Sequence, residues 1–349
     1  MNRRRNYSNR RGITRVEVIV VLGACLLVGT LILPATRRAR SPARMLQCLS
    51  NMRNVGLAAQ NCASSNSGKL PPLSSSQTVK NSSGEEGEFI VSWPILLLPA
   101  LDNSALLKRI RANAIVQSGQ AQIGDEKQVA IEVFGCAHDL NAYKKPGRMS
   151  YVFNTGFISQ AVYHGDPGRK HIPGSLAWMG LPGDGNAVGV QAATGAVWHQ
   201  SKDFVSSLEY ISVGDGASTT LLLTENLQAG NWYDTDTASI SFGFPVANSK
   251  GQVPLGAGQT FESEQKPLNT EFNGGTLATG QDWRINSELK ARVGTLPRPS
   301  SNHAGGVNVI MCDGAGKFLN QNINPHVYLK LLTSNGVTWG EGELKQSEW

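Results

Sequence analysis

The clearest hydrophobic pattern of the chain is an apolar run close to the N-terminus. Nineteen consecutive residues, Val18 to Thr36, carry no charge. As a helix they would span about 28 Å, close to the hydrocarbon thickness of a bilayer. The run therefore predicts a transmembrane helix over 13–36. Arginines stand on both sides of it, so the positive-inside rule does not decide its orientation.

A second apolar pattern follows with helical spacing. Apolar residues recur every three or four positions, which predicts one buried face of an amphipathic helix over 37–66. The stripe is too short for a coiled coil, so we expect it to pack against the globular part of the same chain. Its members are Met45, Cys48, Met52, Val55, Ala59 and Cys62.

The remainder, 67–349, shows short apolar runs between turn residues and predicts a β-rich domain with long loops at 165–196 and 245–282. Short helices are expected at 93–98 and 103–112. Strands are expected at 208–213 and 219–224, on either side of a Gly-Asp-Gly turn. The predicted fold class is therefore α+β: a long N-terminal transmembrane and stalk helix, followed by a β-rich globular domain.

A hairpin is expected near the C-terminus. Asp313 and Gly314 stand between two apolar runs, 307–312 and 315–319. Asp-Gly between such runs predicts a type I′ turn, in which both residues take positive φ.

Charge is distributed unevenly and changes the expected partners. The net charge is +6, but residues 1–53 hold eleven arginines against one acid, Glu17. Residues 54–349 are therefore net acidic. The basic character belongs to the N-terminus, which argues against nucleic acid as a partner.

The N-terminal sequence R-R-G-I-T-R-V-E-V-I-V-V-L places Glu17 five positions after Gly12. It resembles the prepilin cleavage and methylation motif. The resemblance implies that prepilin peptidase cuts after Gly12, that Ile13 is methylated, and that Glu17 pairs with the N-terminal amine of a neighbouring subunit. The alternative is a signal anchor with an accidental Gly-x4-Glu.

The C-terminal sequence S-N-H-A-G-G-V-N-V-I-M-C-D-G places nine residues between His303 and the pair Asp313-Gly314. It resembles the H-x9-D-G processing-associated motif of a pseudopilin-like bacterial family of unknown function. Further segments resemble the same family: 47–58, 92–101, V-F-G-C at 133–136, 150–156 and G-D-G-A-S-T-T-L-L-L-T-E-N at 214–226.

The resemblance implies a leader at 1–12, the transmembrane helix, the stalk at 37–66 and an extracytoplasmic domain at 67–349 that ends in the hairpin at 303–319. It implies a single-pass protein of the inner membrane with a cytoplasmic N-terminus. Its partners would be prepilin peptidase, other pilin-like subunits and the membrane. The expected function is structural assembly in a type II secretion-like or pilus-like system. The alternative is a membrane-tethered glycan- or peptide-binding module that uses the prepilin signal only for sorting.

No enzymatic chemistry and no cofactor are expected. The chain lacks H-E-x-x-H, G-x-S-x-G and P-loop sequences. His303 and Asp313 have two interpretations: a ligand site, or a hydrogen-bonded loop followed by a turn. We favour the structural one.

No metal site is expected either. Cys136-x-His138-Asp139 lacks a second ligand pair at zinc spacing. Three loop residues with oxygen ligands, Asp184, Asn186 and Asp215, are too sparse for a calcium loop. The tryptophans Trp178, Trp198, Trp232 and Trp283 suit sugar stacking or, more often, core packing.

The cysteines leave two alternatives open. Cys48 and Cys62 are too far apart on one helix to join each other, so each would need a partner in the domain. Cys136 and Cys312 are the two candidates. Two bridges from the helix to the domain, or four reduced cysteines, are equally compatible with the sequence.

Overall fold

The computed structural model describes residues 15–163, 192–201, 204–246, 284–339 and 343–344, and for 28–41, 159–161 and 246 it describes the backbone alone. The chain divides into two compact units, Met1–Leu46 and Gln47–Trp349. The long helix α1 runs through the boundary. The second unit holds both sheets and the core.

Within the described residues the helices are short except for the first. They are α1 (Arg15–Ser65), α2 (Trp93–Leu97), α3 (Ser104–Ala112), α4 (Gln160–Tyr163), α5 (Leu208–Val213), α6 (Thr237–Ile240) and α7 (Pro325–Leu332). Turns of 3-10 helix occur at Leu98–Leu101, Asp125–Gln128, Glu132–Phe134 and Val337–Trp339.

The strands form two sheets. The first has the order β1-β2-β4-β3, and the second has the order β7-β5-β6-β8-β9. Each sheet mixes antiparallel pairs with one parallel pair, β2/β4 or β5/β7. The strands are β1 (Ser74–Lys80), β2 (Glu86–Ser92), β3 (Ile115–Gln117), β4 (Gln120–Gln122), β5 (Tyr151–Ser159), β6 (Leu221–Glu225), β7 (Ser241–Val246), β8 (Gly306–Met311) and β9 (Gly316–Asn320).

The C-terminal part of α1 packs on the second sheet through its predicted apolar stripe. Cys48, Met52, Val55 and Ala59 are fully buried in the core. Gly56 permits the close approach, because a Cβ there would lie 2.8 Å from Ile310 Cγ2 on β8. The expectation that this face packs against the chain's own domain is confirmed.

The predicted transmembrane helix is wrong for the part of the chain that the structure describes. No helix there combines the length and hydropathy that crossing a bilayer requires.

The predicted α+β class with a β-rich domain is also wrong, because the second unit is a mixed α/β structure with two sheets. The parallel strand pairs explain why the observed fold class differs from the predicted one. β5 pairs in parallel with β7, and in the described sequence α4, α5, β6 and α6 lie between the two strands. Such pairing needs a long crossover connection, which a local pattern does not reveal.

Local predictions had mixed outcomes. The helices at 93–98 and 103–112 are confirmed as α2 and α3. The predicted strand at 208–213 is wrong, since it forms α5. Ser207 caps that helix, and its side chain accepts a hydrogen bond from Tyr210 N.

The C-terminal hairpin is confirmed, but its turn differs from the prediction. β8 and β9 pair antiparallel, and Gly314 alone of the Asp-Gly pair has positive φ, at 85°. Gly314 N donates to Met311 O, and Met311 N donates to Ala315 O. This is a three-residue hairpin loop with glycine in the left-handed position, in place of a type I′ turn.

Candidate functional site

Four buried side chains with metal-ligating or nucleophilic atoms meet inside the second unit. They are Cys48, Cys136, Glu225 and His303, and one ligand atom of each lies within 4.8 Å of the others. We call them the Cys-Glu-His cluster. Each is at most 5 % exposed, so their polar atoms face one another away from solvent.

Four different segments supply the cluster. Cys48 lies on the buried face of α1, and Cys136 follows the 3-10 turn Glu132–Phe134. Glu225 is the last residue of β6, and His303 lies in the loop before β8. Ser300 N donates to Glu225 O, which ties that loop to the end of β6.

The shorter of the two hydrogen-bond contacts within the cluster joins Glu225 and His303. Glu225 Oε1 lies 2.9 Å from His303 Nε2. An ionised carboxylate only accepts hydrogen bonds, which assigns His303 Nε2 as the donor to Glu225 Oε1. The same Nε2 lies 3.5 Å from Cys136 Sγ, and Cys136 forms a disulfide with Cys48.

Neighbouring groups hold these side chains in place. Asn308 N donates to Glu225 Oε2 at 2.8 Å, so Oε1 remains directed at the histidine. At the second ring nitrogen of His303, Nδ1, the contact is with His138 Nδ1 at 2.9 Å. The Ser301 hydroxyl accepts a hydrogen bond from His303 N and fixes the loop locally.

A second polar network supports the cysteine side of the cluster. The Ser150 hydroxyl donates to Asp139 Oδ2 and accepts from Cys136 N. Burial raises the pKa of the Asp139 carboxyl, and the hydrogen bond from Ser150 opposes that rise. The Tyr151 hydroxyl lies 3.2 Å from Cys48 O. Burial and the nearby charge of Glu225 raise the pKa of this tyrosine well above its usual range.

The structure does not bring His303 and Asp313 together, although the H-x9-D-G motif contains both. β8 lies between them, six residues or about 20 Å of strand. Asp313 Oδ1 accepts from Ala315 N within the hairpin loop, as expected of a turn aspartate. His303, in contrast, is a member of the buried cluster.

The predicted cysteines separate into two groups. Cys48 and Cys136 form one bridge between α1 and the domain. Cys62 and Cys312 are free of disulfides. Cys312 is fully buried, and burial raises the pKa of its thiol far above the usual range. The structure thus contains one of the two bridges that the sequence allowed.

The remaining predicted residues lie apart from the cluster. Glu17 is in the first turn of α1 and is exposed, whereas Gly12 and Ile13 lie outside the described residues. The two oxygens of Asp215 accept from Gly336 N and Val337 N, so this side chain caps a turn. Trp232 is a core residue.

Asp184, Asn186, Trp178, Trp283 and most of the two predicted loops also fall outside the described part of the chain.

A separate cavity of about 510 Å³ lies at the end of α1. Its lining is mostly apolar and includes Trp198 and Phe204, with Lys69 and Arg111 as its cations. The Ser75 hydroxyl in the lining is buried and has no hydrogen-bond partner within the described residues. The cavity has the size and composition of a small-ligand site.

Sequence reasoning missed Glu225. A carboxylate at the end of an apolar strand gives no periodic signal, because its partner lies 78 residues away. A signal was nevertheless present. Each cluster member falls in one of the segments that resemble the pseudopilin-like family: 47–58, 133–136, 214–226 or the C-terminal motif.

Together, these features define a two-sheet α/β protein with a long N-terminal helix and a buried Cys-Glu-His cluster. The chain belongs to the family described as protein of unknown function (DUF1559), SBP_bac_10, whose model matches residues 37–326. The match starts after the segment that contains Gly12 and Glu17. No curated protein and no solved structure matches the chain.

Proposed function

We propose that this protein is a pilin-like assembly subunit whose N-terminal helical segment packs against the same segment of other copies. One observation carries the proposal: in the single chain the apolar side chains at the start of α1 are exposed. Val18, Ile19, Val20, Val21 and Leu22 are between 46 % and 67 % exposed.

Five consecutive residues cover more than one helical turn of 3.6 residues, so apolar surface surrounds the helix at this level. A helix that is apolar on all sides is stable only when other apolar groups cover it. Copies of the chain supply a matching apolar surface, as in a bundle of like helices. Glu17 then sets the register by pairing with the N-terminal ammonium of a neighbour, which the prepilin-like motif supports.

Processing by prepilin peptidase is part of the proposal, because cleavage after Gly12 creates that ammonium at Ile13. Mass spectrometry of the intact purified protein should find Ile13, methylated, as the first residue. Gly12→Arg should leave the leader in place, since it adds a large side chain at the cut bond. A wild-type protein that retains Met1 would contradict this step.

Sedimentation velocity tests assembly directly. The processed chain should form oligomers, and Val20→Lys should reduce them to monomers. Val213→Lys is the matched control, because Val213 is 83 % exposed in the second unit, outside the helical segment. Monomeric wild type, or a segment that binds phospholipid vesicles and never other copies, would contradict the proposal.

Glu17→Gln separates register from simple apolar association. It should weaken assembly of the processed chain, where the ammonium of Ile13 is present. It should leave association of the unprocessed Gly12→Arg chain unchanged, because that chain lacks the partner charge at this position. An equal effect on both chains would remove Glu17 from the assembly contact.

The same proposal places the second unit outside the cytoplasm. The disulfide Cys48–Cys136 supports this location, because disulfides persist in oxidising compartments.

A glycan- or peptide-binding module is the second candidate function, and the 510 Å³ cavity favours it. Its apolar lining with Arg111 suits a ligand with an apolar body and an anionic group. The anionic dye 1-anilinonaphthalene-8-sulfonate has this chemistry and should bind there. Arg111→Ala should weaken the binding, whereas Lys108→Ala, an exposed neighbour on α3 outside the lining, should not. Displacement of the dye by peptides or by oligosaccharides would identify the class of ligand.

A further inference from the structure

We propose that the Cys-Glu-His cluster binds one zinc ion when Cys48 and Cys136 are reduced. The ligands are the two thiolates, His303 Nε2 and Glu225 Oε1. The inference is independent of self-assembly, because every ligand lies within the second unit.

The four ligand atoms lie within 4.8 Å of one another, close enough for small side-chain movements to form a tetrahedral site. Zinc bonds of about 2.3 Å to sulfur and 2.0 Å to nitrogen or oxygen place neighbouring ligand atoms about 3.3 to 3.8 Å apart. The observed 3.5 Å from Cys136 Sγ to His303 Nε2 lies in this range. The 2.9 Å from that nitrogen to Glu225 Oε1 is a hydrogen-bond distance, and it must lengthen by about 0.4 Å when the ion binds. The two sulfurs are bonded here and separate after reduction, when the cysteine side chains rotate.

The proton on His303 Nε2 marks the position that the metal takes. In the oxidised chain this proton lies between the imidazole and Glu225 Oε1. Zinc in its place would bind both atoms. The proton of the imidazole then resides on Nδ1, which donates to His138 Nδ1 at 2.9 Å. A hydrogen-bond partner at the ring nitrogen that does not bind the metal fixes the tautomer of a metal-binding histidine.

The type of ligand selects zinc among the common ions. Two thiolates exclude calcium and magnesium, which require oxygen ligands. The carboxylate and imidazole complete a mixed set that suits a borderline ion. Because four protein ligands fill the tetrahedron and the site is buried, the ion is structural. It joins α1 to the end of β6 in the reduced chain, as the disulfide joins α1 to the loop at Cys136 in the oxidised chain.

The two states interconvert by a balanced exchange. A dithiol reductant transfers two electrons and two protons to the Cys48–Cys136 bond and becomes a cyclic disulfide. The two thiols that form release two protons to water as they bind Zn²⁺. The oxidised chain has no thiolates at this position and should bind no zinc there.

Cobalt substitution tests the site in the full chain. The chain reduced by a phosphine and titrated with Co²⁺ should take up one ion. It should show thiolate-to-cobalt charge-transfer bands and the intense visible bands of tetrahedral cobalt, and zinc should displace both. Cys136→Ser and His303→Ala should lose these bands, and His138→Ala should weaken binding about tenfold. Cys62→Ser and Cys312→Ser are matched controls that keep all four ligands.

Three results would overturn the proposal: no thiolate charge-transfer band, the same bands in Cys136→Ser, or the same bands in the oxidised chain. If Cys136→Ser fails to fold, a measurement on the wild type decides alone. Zinc should protect Cys48 and Cys136 of the reduced chain from N-ethylmaleimide, as peptide mass spectrometry reports, while the labelling of Cys62, which is not a ligand, should not depend on zinc. Equal labelling with and without zinc would also overturn it.

Discussion

Glu225 Oε1 accepts a hydrogen bond from His303 Nε2 at 2.9 Å, and both side chains are at most 2 % exposed. This contact joins the end of β6 to the loop before β8, 78 residues later in the sequence. It explains why a histidine stands before the last hairpin. The imidazole of His303 donates a hydrogen bond to a buried carboxylate. The whole of β8 separates this histidine from the Asp-Gly turn.

Removal of the histidine should be more costly than the loss of an ordinary hydrogen bond. His303→Ala should lower the free energy of unfolding by about 3 kcal/mol, because a buried carboxylate loses its donor. Urea denaturation of the oxidised chain measures it. The double variant Glu225→Ala/His303→Ala should lose less than the sum of the two single variants. Additive losses would show that the two residues act separately.

The disulfide should contribute measurably to stability. It closes a loop with a sequence separation of 88 residues, for which loop entropy gives about 4.6 kcal/mol. Cys136→Ser should lose roughly this amount under oxidising conditions with a chelator present. Cys62→Ser should change stability by less than about 0.5 kcal/mol. A loss that is unaffected by reductant, or a peptide map without the Cys48–Cys136 pair, would contradict this account.

The hairpin turn depends on Gly314 through its positive φ of 85°. Gly314→Val should lower the melting temperature the most, since a β-branched side chain resists that conformation. Gly314→Asn is the matched control, because asparagine tolerates the left-handed region and should cost less than half as much. Asp313→Ala should cost about 1 kcal/mol through the lost bond to Ala315 N. A Cβ at position 314 would lie 3.0 Å from Gln60 Nε2. Equal effects of valine and asparagine would show that this contact, and not the backbone conformation, sets the cost.

Asp139 should give the stability a specific pH dependence. Burial raises its pKa in the folded chain, so the folded state binds this proton more tightly than the unfolded state. The resulting contribution is greatest below the unfolded pKa of about 3.9 and is lost as the pH rises through the folded pKa. Relative to Asp139→Asn, the wild type should therefore gain stability when the pH falls from 7 to 4.5. Urea denaturation at both pH values checks the sign, and a relative loss would contradict it.

Part of the second unit could be predicted from sequence because it depends on local order. The spacing of Cys48, Met52 and Val55 determines which face of α1 is buried, since side chains three and four apart share one face of a helix. The Asp-Gly pair determines the hairpin, because glycine readily takes positive φ. α2 and α3 also follow from short-range patterns.

The parallel pairings and the Cys-Glu-His cluster were decided only by the tertiary structure. The cluster members extend from residue 48 to residue 303, and each satisfies a polar need that its own segment leaves open. Glu225 ends an apolar strand and is tolerable in the core only because His303 and Asn308 donate to it. Which cysteine Cys48 meets also depends on where the loop after Phe134 crosses α1. Sequence by itself therefore determined the elements with local periodicity. The packing of distant segments decided the site, because a buried charge or thiol is stabilised by neighbours that only the fold brings next to it.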